Sequence, residues 1–538
     1  MRLRILAVTV FTSFAADATG QEHARTPVAS VAEDAFLKER EVLGGLSHAS
    51  GTRPEFGRMP TARALSEVAP IIRVGLSPTL FTSSGTVSAE YDTSAAHNHP
   101  AVDLTGTSAF EILDEAGSLV GSYAASQIVH ATALGGAVAL SVGGATVAVV
   151  AGPVRAQPAT GALLVVASMR RTNRLLPNSP MTAPAYRGFI EIRVSEADPQ
   201  KLRCVNELGI EEYVAGVVVN ESLNTFHVEA LKAQAVTARG YALASRGRFS
   251  SRGFDIDDST LSQVYRGQTS ETPQAMEATL STATLVATRE GRIIQALYSS
   301  SMGGHTENNE FVFPAAPNYP GTNIDPALRG RHDSFGPLSF SLDDDADVAA
   351  FYTRVDPDAA EVSPATLQPL TSLHRWTRTR TIDELLARLK DGTRGWGVPA
   401  SARSIRDIRT TIRGASGRPM QAIVSGDGWA AMITGWSDLR ALATLSGQTP
   451  GGTTTASAPN SPSAMTLSRG LDGAVTAVTF VGGGFGHNVG MSQWGSQGRA
   501  LRGQNFVEIL KAYYAGIEVT PAFSGDPAVV ALGSVGSR

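Results

Sequence analysis

From Ile71 to Val194 apolar side chains alternate with polar ones or run in short blocks between glycines: IIRVGL, VDLTG, AFEILD, VALSV, ATVAVVA, ALLVVASM and GFIEIRV. That spacing predicts strands. Between Leu208 and Ser245 the period lengthens. Val214, Val217 and Val218 form one stripe, and Leu231, Ala235, Ala238 and Ala242 form another. This segment reads as two helices joined by a short turn. Helices are also predicted from about Pro273 to Thr288 and from about Ile382 to Leu389, and Phe506, Ile509, Leu510 and Tyr513 mark a further helix face. Strand spacing returns in IIQALYSSS, in the segment 401–435 and in GAVTAVTFVG. The pattern is that of an α+β protein. A β-rich N-terminal region, 71–200, forms a small barrel or curled sheet. It precedes a mixed domain, 201–520, that carries the helical pair and a glycine-rich C-terminal segment.

Other stretches refine this organisation. Ala131 to Val154 contains no charged residue, but its paired glycines and its Ser and Thr favour two buried strands with turns over a membrane helix. Residues 19–70 lack periodicity and read as a flexible leader, and 521–538 as a tail. The region from about 326 to 470 is less patterned and reads as an insertion. Within it, Ser446 to Ser463 is low in complexity and is expected to be a flexible loop.

The N-terminus has Arg2 and Arg4, an apolar run Ile5–Ala15 and then Ala16-Asp17-Ala18. This is the pattern of a signal peptide, residues 1–18, and predicts a secreted or periplasmic, cell-envelope location. The 538 residues are 42% hydrophobic and 17% charged, with a net charge of −4, which gives no reason to expect nucleic acid as a partner. The 54 glycines suit a loop-rich β-containing protein. Cys204 is the sole cysteine, so an intramolecular disulfide and a multi-cysteine zinc site are both excluded. In the strand-like KLRCVNE it reads as a small core residue.

Candidate chemistry centres on Glu221. It continues the Val214 stripe at the C-terminal end of the first helix, facing inward or into a cleft. The helix dipole disfavours negative charge there, and partial burial acts in the same direction. Both effects hold a proton on Glu221 and make it a candidate general acid. Lys232 and Arg239 share one face of the second helix, and a helical hairpin could bring them to the same cleft. The structural alternative is a buried Glu221–Arg239 ion pair. His305, in the turn MGGHTE, is either a satisfied turn histidine or a substrate contact. His487, Gln493 and Trp494 follow or interrupt a run of glycines, Gly482 to Gly484, Gly486 and Gly490, that would let backbone approach a ligand closely. They are residue types that bind sugars, and equally a glycine-rich crossing packed by Trp494.

The motifs YRGFIEI, NELGIEEYVAGVV, EALKAQAVTAR, DSTLSQVYRG, YSSSMGGHTE and GGGFGHNVGMSQWGSQGRA, in this order, resemble the sporulation stage II protein D (SpoIID) family, which includes amidase-enhancer relatives. The resemblance extends with gaps over roughly 72–519. It implies cleavage of peptidoglycan glycan strands by a lytic transglycosylase reaction. Glu221 would be the single acid and base, with Lys232, Arg239, His305, His487, Gln493 and Trp494 contacting substrate. It also implies a non-catalytic alternative, a glycan-binding amidase enhancer partnered with a cell-wall amidase. A conventional glycosidase would need a second carboxylate, for which Glu212, Asp258 and Glu307 are candidates. Relatives often place Met-Pro after the catalytic Glu, where this chain has Ser222-Leu223. Many also carry cysteines, some binding zinc, where this chain has Asp257, Ser262 and Met302. No metal and no cofactor is therefore expected.

Overall fold

The computed structural model describes residues 63–64, 70–81, 87–89, 97–171, 181–315, 319–449, 452–456 and 458–523. The signal-like segment 1–18, most of the expected leader and the tail from 524 onward lie outside the described residues. The architecture is α+β, with a β-rich N-terminal region, as the pattern predicts.

Two sheets build that region. One has seven strands in the order Ile256–Asp257, β1 (Ile71–Leu76), β2 (Leu202–Gly209), Phe189–Val194, Val154–Pro158, Phe110–Leu113 and Leu119–Tyr123. The other has six, in the order Ala145–Ala151, Ala137–Val142, Val129–Leu134, Val102–Gly106, Leu164–Val166 and Ala185–Tyr186. Ile72, Val74 and Ile190 from the first sheet and Leu104, Val138 and Leu164 from the second are buried in one core. The uncharged run forms strands, but the expectation that both are buried needs correction. Ala137–Val142 turns inward, whereas Ala145–Ala151 is an edge strand with Val147 52% and Val149 53% exposed. An edge strand has a neighbour on one side only, so apolar content does not guarantee cover. Among the described residues, no helix is long and apolar enough to cross a membrane.

The division at 200/201 does not coincide with a break in the core. β2 lies between β1 and Phe189–Val194, and its last residue, Gly209, is the N-cap of helix α1 (Ile210–Glu221). Glu212 closes that cap by accepting from the Gly209 N–H at 3.1 Å. Helix α2 (Val228–Ala244) packs against α1, and Val214, Val217, Leu231, Ala235 and Ala238 extend the same core. Cys204 is buried in β2 as expected, where burial pushes its thiol up.

Three further expectations are corrected. The helix beginning at Pro273 ends at Ser281, and Leu285–Arg289 is a strand, in keeping with the β-branched residues of TATLVAT. Part of the expected leader, Arg63–Ala64, pairs antiparallel with Arg292–Ile293. The low-complexity segment opens as a hairpin, Leu445–Thr449 with Gly452–Ala456, because ladder hydrogen bonds require no apolar side chain. It then runs inward, and Asn460 is fully buried between Trp376 Nε1 and the Gly483 carbonyl.

Much of the region expected to be an insertion shares a second core, which includes Trp376, Leu385, Leu386 and Leu442 and, beyond residue 470, Val478 and Phe480. Helix Ile382–Leu389 lies where its periodicity predicts, started by a Thr381–Glu384 capping box. The insertion's sheet uses Val475–Gly482 as its central strand, so the unit extends beyond residue 470.

Candidate functional site

Glu221 is the last residue of α1, and Ser222 leaves the helix in an extended conformation. The chain turns through Leu223 and Phe226, and His227 caps α2 by accepting from the Glu229 N–H at 3.2 Å. This tight return leaves the Glu221 side chain 2% exposed. Its Oε1 accepts from the Val264 backbone N–H at 2.7 Å, and its Oε2 accepts from Gln493 Nε2 at 3.3 Å. Gln493 Nε2 also lies 3.4 Å from Gln234 Oε1, which accepts from Ser222 Oγ at the same distance. A polar chain thus runs from α1 through α2 to the C-terminal segment.

Gln493 and Trp494 open helix α3 (Gln493–Leu501), which Ser492 caps by accepting from the Gly495 N–H at 2.9 Å. The helix start is held beside Glu221 by a short parallel pairing of β3 (Tyr298–Ser299) with β4 (Met491–Ser492). The Trp494 N–H then donates to the Ser300 carbonyl at 3.0 Å. A small recess, partly open to solvent, lies against Glu221, Ser222, Leu223, Phe226, Ser300, Gln493 and Trp494. Phe226 and Trp494 form its aromatic wall, edge to face with centroids 4.9 Å apart. Among the described lining residues, Glu221 is the sole carboxyl group.

The other sequence candidates lie elsewhere. Arg239 is fully buried and forks onto Glu211, Nε to Oε1 at 2.8 Å and Nη2 to Oε2 at 2.5 Å, with Nη1 on the Leu285 carbonyl. This corrects both the shared-cleft expectation and the Glu221–Arg239 pair, because a guanidinium with these partners is committed to the core. Lys232 bonds Glu229 at 2.7 Å, and Glu229 in turn accepts from the Phe506 N–H at the start of helix α4 (Phe506–Tyr513). His305 is buried on the Thr306 carbonyl, and burial pushes it down to about 3, so it is a neutral turn histidine. His487 is half-buried, accepts from the Val489 N–H and meets Phe313 edge to face. None of these four lines the recess.

The glycines are also reassigned. A Cβ on Gly490, whose φ is +80°, would sit 2.0 Å from the Leu297 carbonyl oxygen. One on Gly303 would sit 2.4 Å from the Gly483 carbonyl carbon. These glycines let backbone cross backbone rather than approach a ligand. The second-carboxylate candidates are occupied too. Glu212 caps the far end of α1, Asp258 pairs with buried Arg171 at 2.9 Å, and Glu307 accepts from the Ala415 N–H and Ser416. Among the described residues, no three His, Cys, Asp or Glu side chains converge to hold a metal ion.

Phe226, Ser222, Leu223 and Ser300 are not among the site residues expected from the sequence, where Ser222 and Leu223 stand out only as a departure from the relatives' Met-Pro. Their signal was position: the first three lie in the α1–α2 turn, and Ser300 lies in the YSSSMGG motif.

Residues 198–291, which include all of α1 and α2, match the family described as Stage II sporulation protein, SpoIID. By that match, the stretch that carries both helices is a SpoIID-family domain. Residues 365–490 match a second family, described as a domain of unknown function (DUF8618), a range that holds the second core. The chain is 28% identical over 316 residues to an uncharacterized protein of Brachyspira hyodysenteriae, covering 59% of this chain and 67% of that protein. It is 29% identical over 317 residues to the amidase enhancer of Bacillus subtilis, covering 57% of this chain and 40% of that protein. It is 31% identical over 157 residues to stage II sporulation protein D of Bacillus subtilis, covering 26% of this chain and 46% of that protein. The matches thus span less than half the length of the two Bacillus subtilis relatives.

Proposed function

We propose that this chain, with its SpoIID-family domain, works on the cell wall and cleaves peptidoglycan glycan strands by a lytic transglycosylase reaction. One observation carries the reading: among the described residues, a single carboxyl group, Glu221, lines a recess with an aromatic wall and a neighbouring amide. An aromatic face beside hydrogen-bonding groups suits a sugar ring. A lone carboxyl suits a reaction whose nucleophile is internal to the substrate.

In that reaction Glu221 donates its proton to the glycosidic oxygen between N-acetylmuramic acid and N-acetylglucosamine. The bond from C1 to that oxygen breaks with oxocarbenium character at C1. The C6 hydroxyl of the same muramic ring attacks C1 and gives its proton to the Glu221 carboxylate, which restores the acid. The product is a 1,6-anhydro end, with no water consumed. Gln493 orients the carboxyl, while Phe226 and Trp494 hold the ring. In this reading the protein acts outside the cytoplasm, where the proposed substrate lies.

The name of the amidase-enhancer relative favours a second reading: a glycan-binding subunit that assists a cell-wall amidase and uses the same recess without turnover. Mass spectrometry of intact and peptide-stripped peptidoglycan after digestion separates the possibilities. Anhydro-muramic ends support the transglycosylase, reducing ends indicate hydrolysis, and binding without cleavage supports the enhancer.

A further inference from the structure

The wall of the recess opposite α1 is built from two segments far apart in sequence, the turn after β3 and the start of α3. Both meet at one buried carboxylate. Glu361, in the insertion, has no exposed surface. Its Oε2 accepts from Ser301 Oγ at 2.6 Å, from the Gly303 N–H at 3.2 Å and from His374 Nδ1 at 2.9 Å. Its Oε1 accepts from the Met302 N–H and from Ser492 Oγ at 2.7 Å. Ser492 is the N-cap of α3, so the residue that bonds Glu361 also fixes the direction in which Gln493 and Trp494 leave the strand. On the other side, Ser301 directly follows Ser300, whose carbonyl receives the Trp494 N–H.

We propose that Glu361 is a positioning residue for the recess: an anionic hub, contributed by the insertion, that locks the β3 turn to the α3 N-terminus and so sets Gln493 and Trp494 against Glu221. Neither family match, 198–291 nor 365–490, includes it. Burial alone would favour its neutral form, but the His374 donor and the serine hydroxyls outweigh burial and hold it down at about 2. His374 is itself lowered, mainly by burial, so neutral His374 donates from Nδ1. A carboxylate with this many donors is rigid, and a displacement of about 1 Å at a reacting centre can cost about a hundredfold in rate. The kinetic consequence rests on the proposed glycan cleavage; the structural consequence does not.

The test uses the full chain labelled with 5-fluorotryptophan, and fluorine NMR of the Trp494 resonance, assigned with Trp494→Phe. Trp396, Trp429 and Trp436, within the insertion, serve as internal controls. Glu361→Gln removes the charge. Glu361→Asp keeps it but shortens the reach, so one carboxylate can no longer hold both segments. Folded protein of either variant should show a displaced or split Trp494 resonance with unmoved controls. It should also show kcat lowered about a hundredfold with KM within about threefold of wild type. A wild-type Trp494 resonance in either folded variant overturns the proposal, as does a displaced resonance with wild-type kcat. If Glu361→Gln fails to fold, Glu361→Asp decides by the same criteria. Wild-type protein that cleaves no glycan defeats the proposed function alone, and the Trp494 comparison then decides the positioning role by itself.

Discussion

Gln493 Nε2 lies 3.3 Å from Glu221 Oε2 although 272 residues separate the two side chains. The contact joins the end of the first helix of the family domain to the start of a helix beyond the insertion. It gives the Glu221 carboxyl an amide donor on the side opposite the Val264 N–H, so both oxygens are oriented by groups from outside α1.

Replacing that amide should therefore affect rate more than fold. A displacement of about 1 Å at a reacting group can cost about a hundredfold in rate. Gln493→Ala should lower the rate of anhydro-muropeptide release by that factor while the melting transition stays cooperative. An unchanged rate in folded Gln493→Ala would remove Gln493 from the site.

The aromatic wall should act through binding. Trp494→Ala should raise KM or weaken retention on glycan strands, whereas Trp494→Phe, which keeps an aromatic face, should recover most of the loss. Sedimentation with purified glycan strands measures this, and equal binding by wild type and Trp494→Ala counts against a stacked sugar.

Arg239 should behave as a core residue. Its partner Glu211 is almost fully buried, so Arg239→Ala leaves an uncompensated charge, a change that costs about 3–5 kcal/mol. Urea denaturation should show that loss, and activity per folded molecule should be retained. A variant of wild-type stability that has lost glycan binding would restore Arg239 to the substrate-contact role.

Acid should destabilise the fold through its buried histidines. Burial pushes His305 down to about 3 and His99 down to about 4. In the unfolded chain a histidine takes up its proton near 6.5. Between these values the unfolded state holds more protons than the native one, so stability falls as pH drops. The slope is at most about 1.4 kcal/mol per pH unit for each histidine. Urea midpoints at pH 7 and pH 4.5 should show this decline, and His305→Gln should make it shallower. The same decline in His305→Gln would mean that His305 already titrates normally in the native state.

Much of this arrangement was legible because helical spacing and local motifs act over short distances. Val214, Val217 and Val218 located α1 and put Glu221 at its inward-facing end, and the motif around Gln493 and Trp494 marked the opposite wall. Helical spacing also put Arg239 on a definite face of α2. It could not say whether that face met Glu221 or Glu211, since the choice depends on how the two helices cross. The Gly482–Gly490 run signalled close approach without naming its partner, which proved to be the backbone around Leu297 and Gly303. Ser446–Ser463 looked unstructured because it lacks large apolar groups, yet Asn460 is buried through polar bonds to segments remote in sequence. Glu361 gave no local signal, because its donors come from segments on either side of it in the chain.

The most direct test is the product spectrum of Glu221→Gln. The amide keeps the size of the side chain and an oxygen for the Val264 N–H, and its NH2 can be met by the Gln493 amide turned about, but it has no acidic proton to transfer. Loss of general acid–base catalysis typically lowers rate about a hundredfold to ten-thousandfold. Folded Glu221→Gln should still bind glycan strands and should release anhydro-muropeptides slower by at least that lower factor. Release of the same anhydro products at near wild-type rate would contradict the assignment of Glu221 as the acid and base.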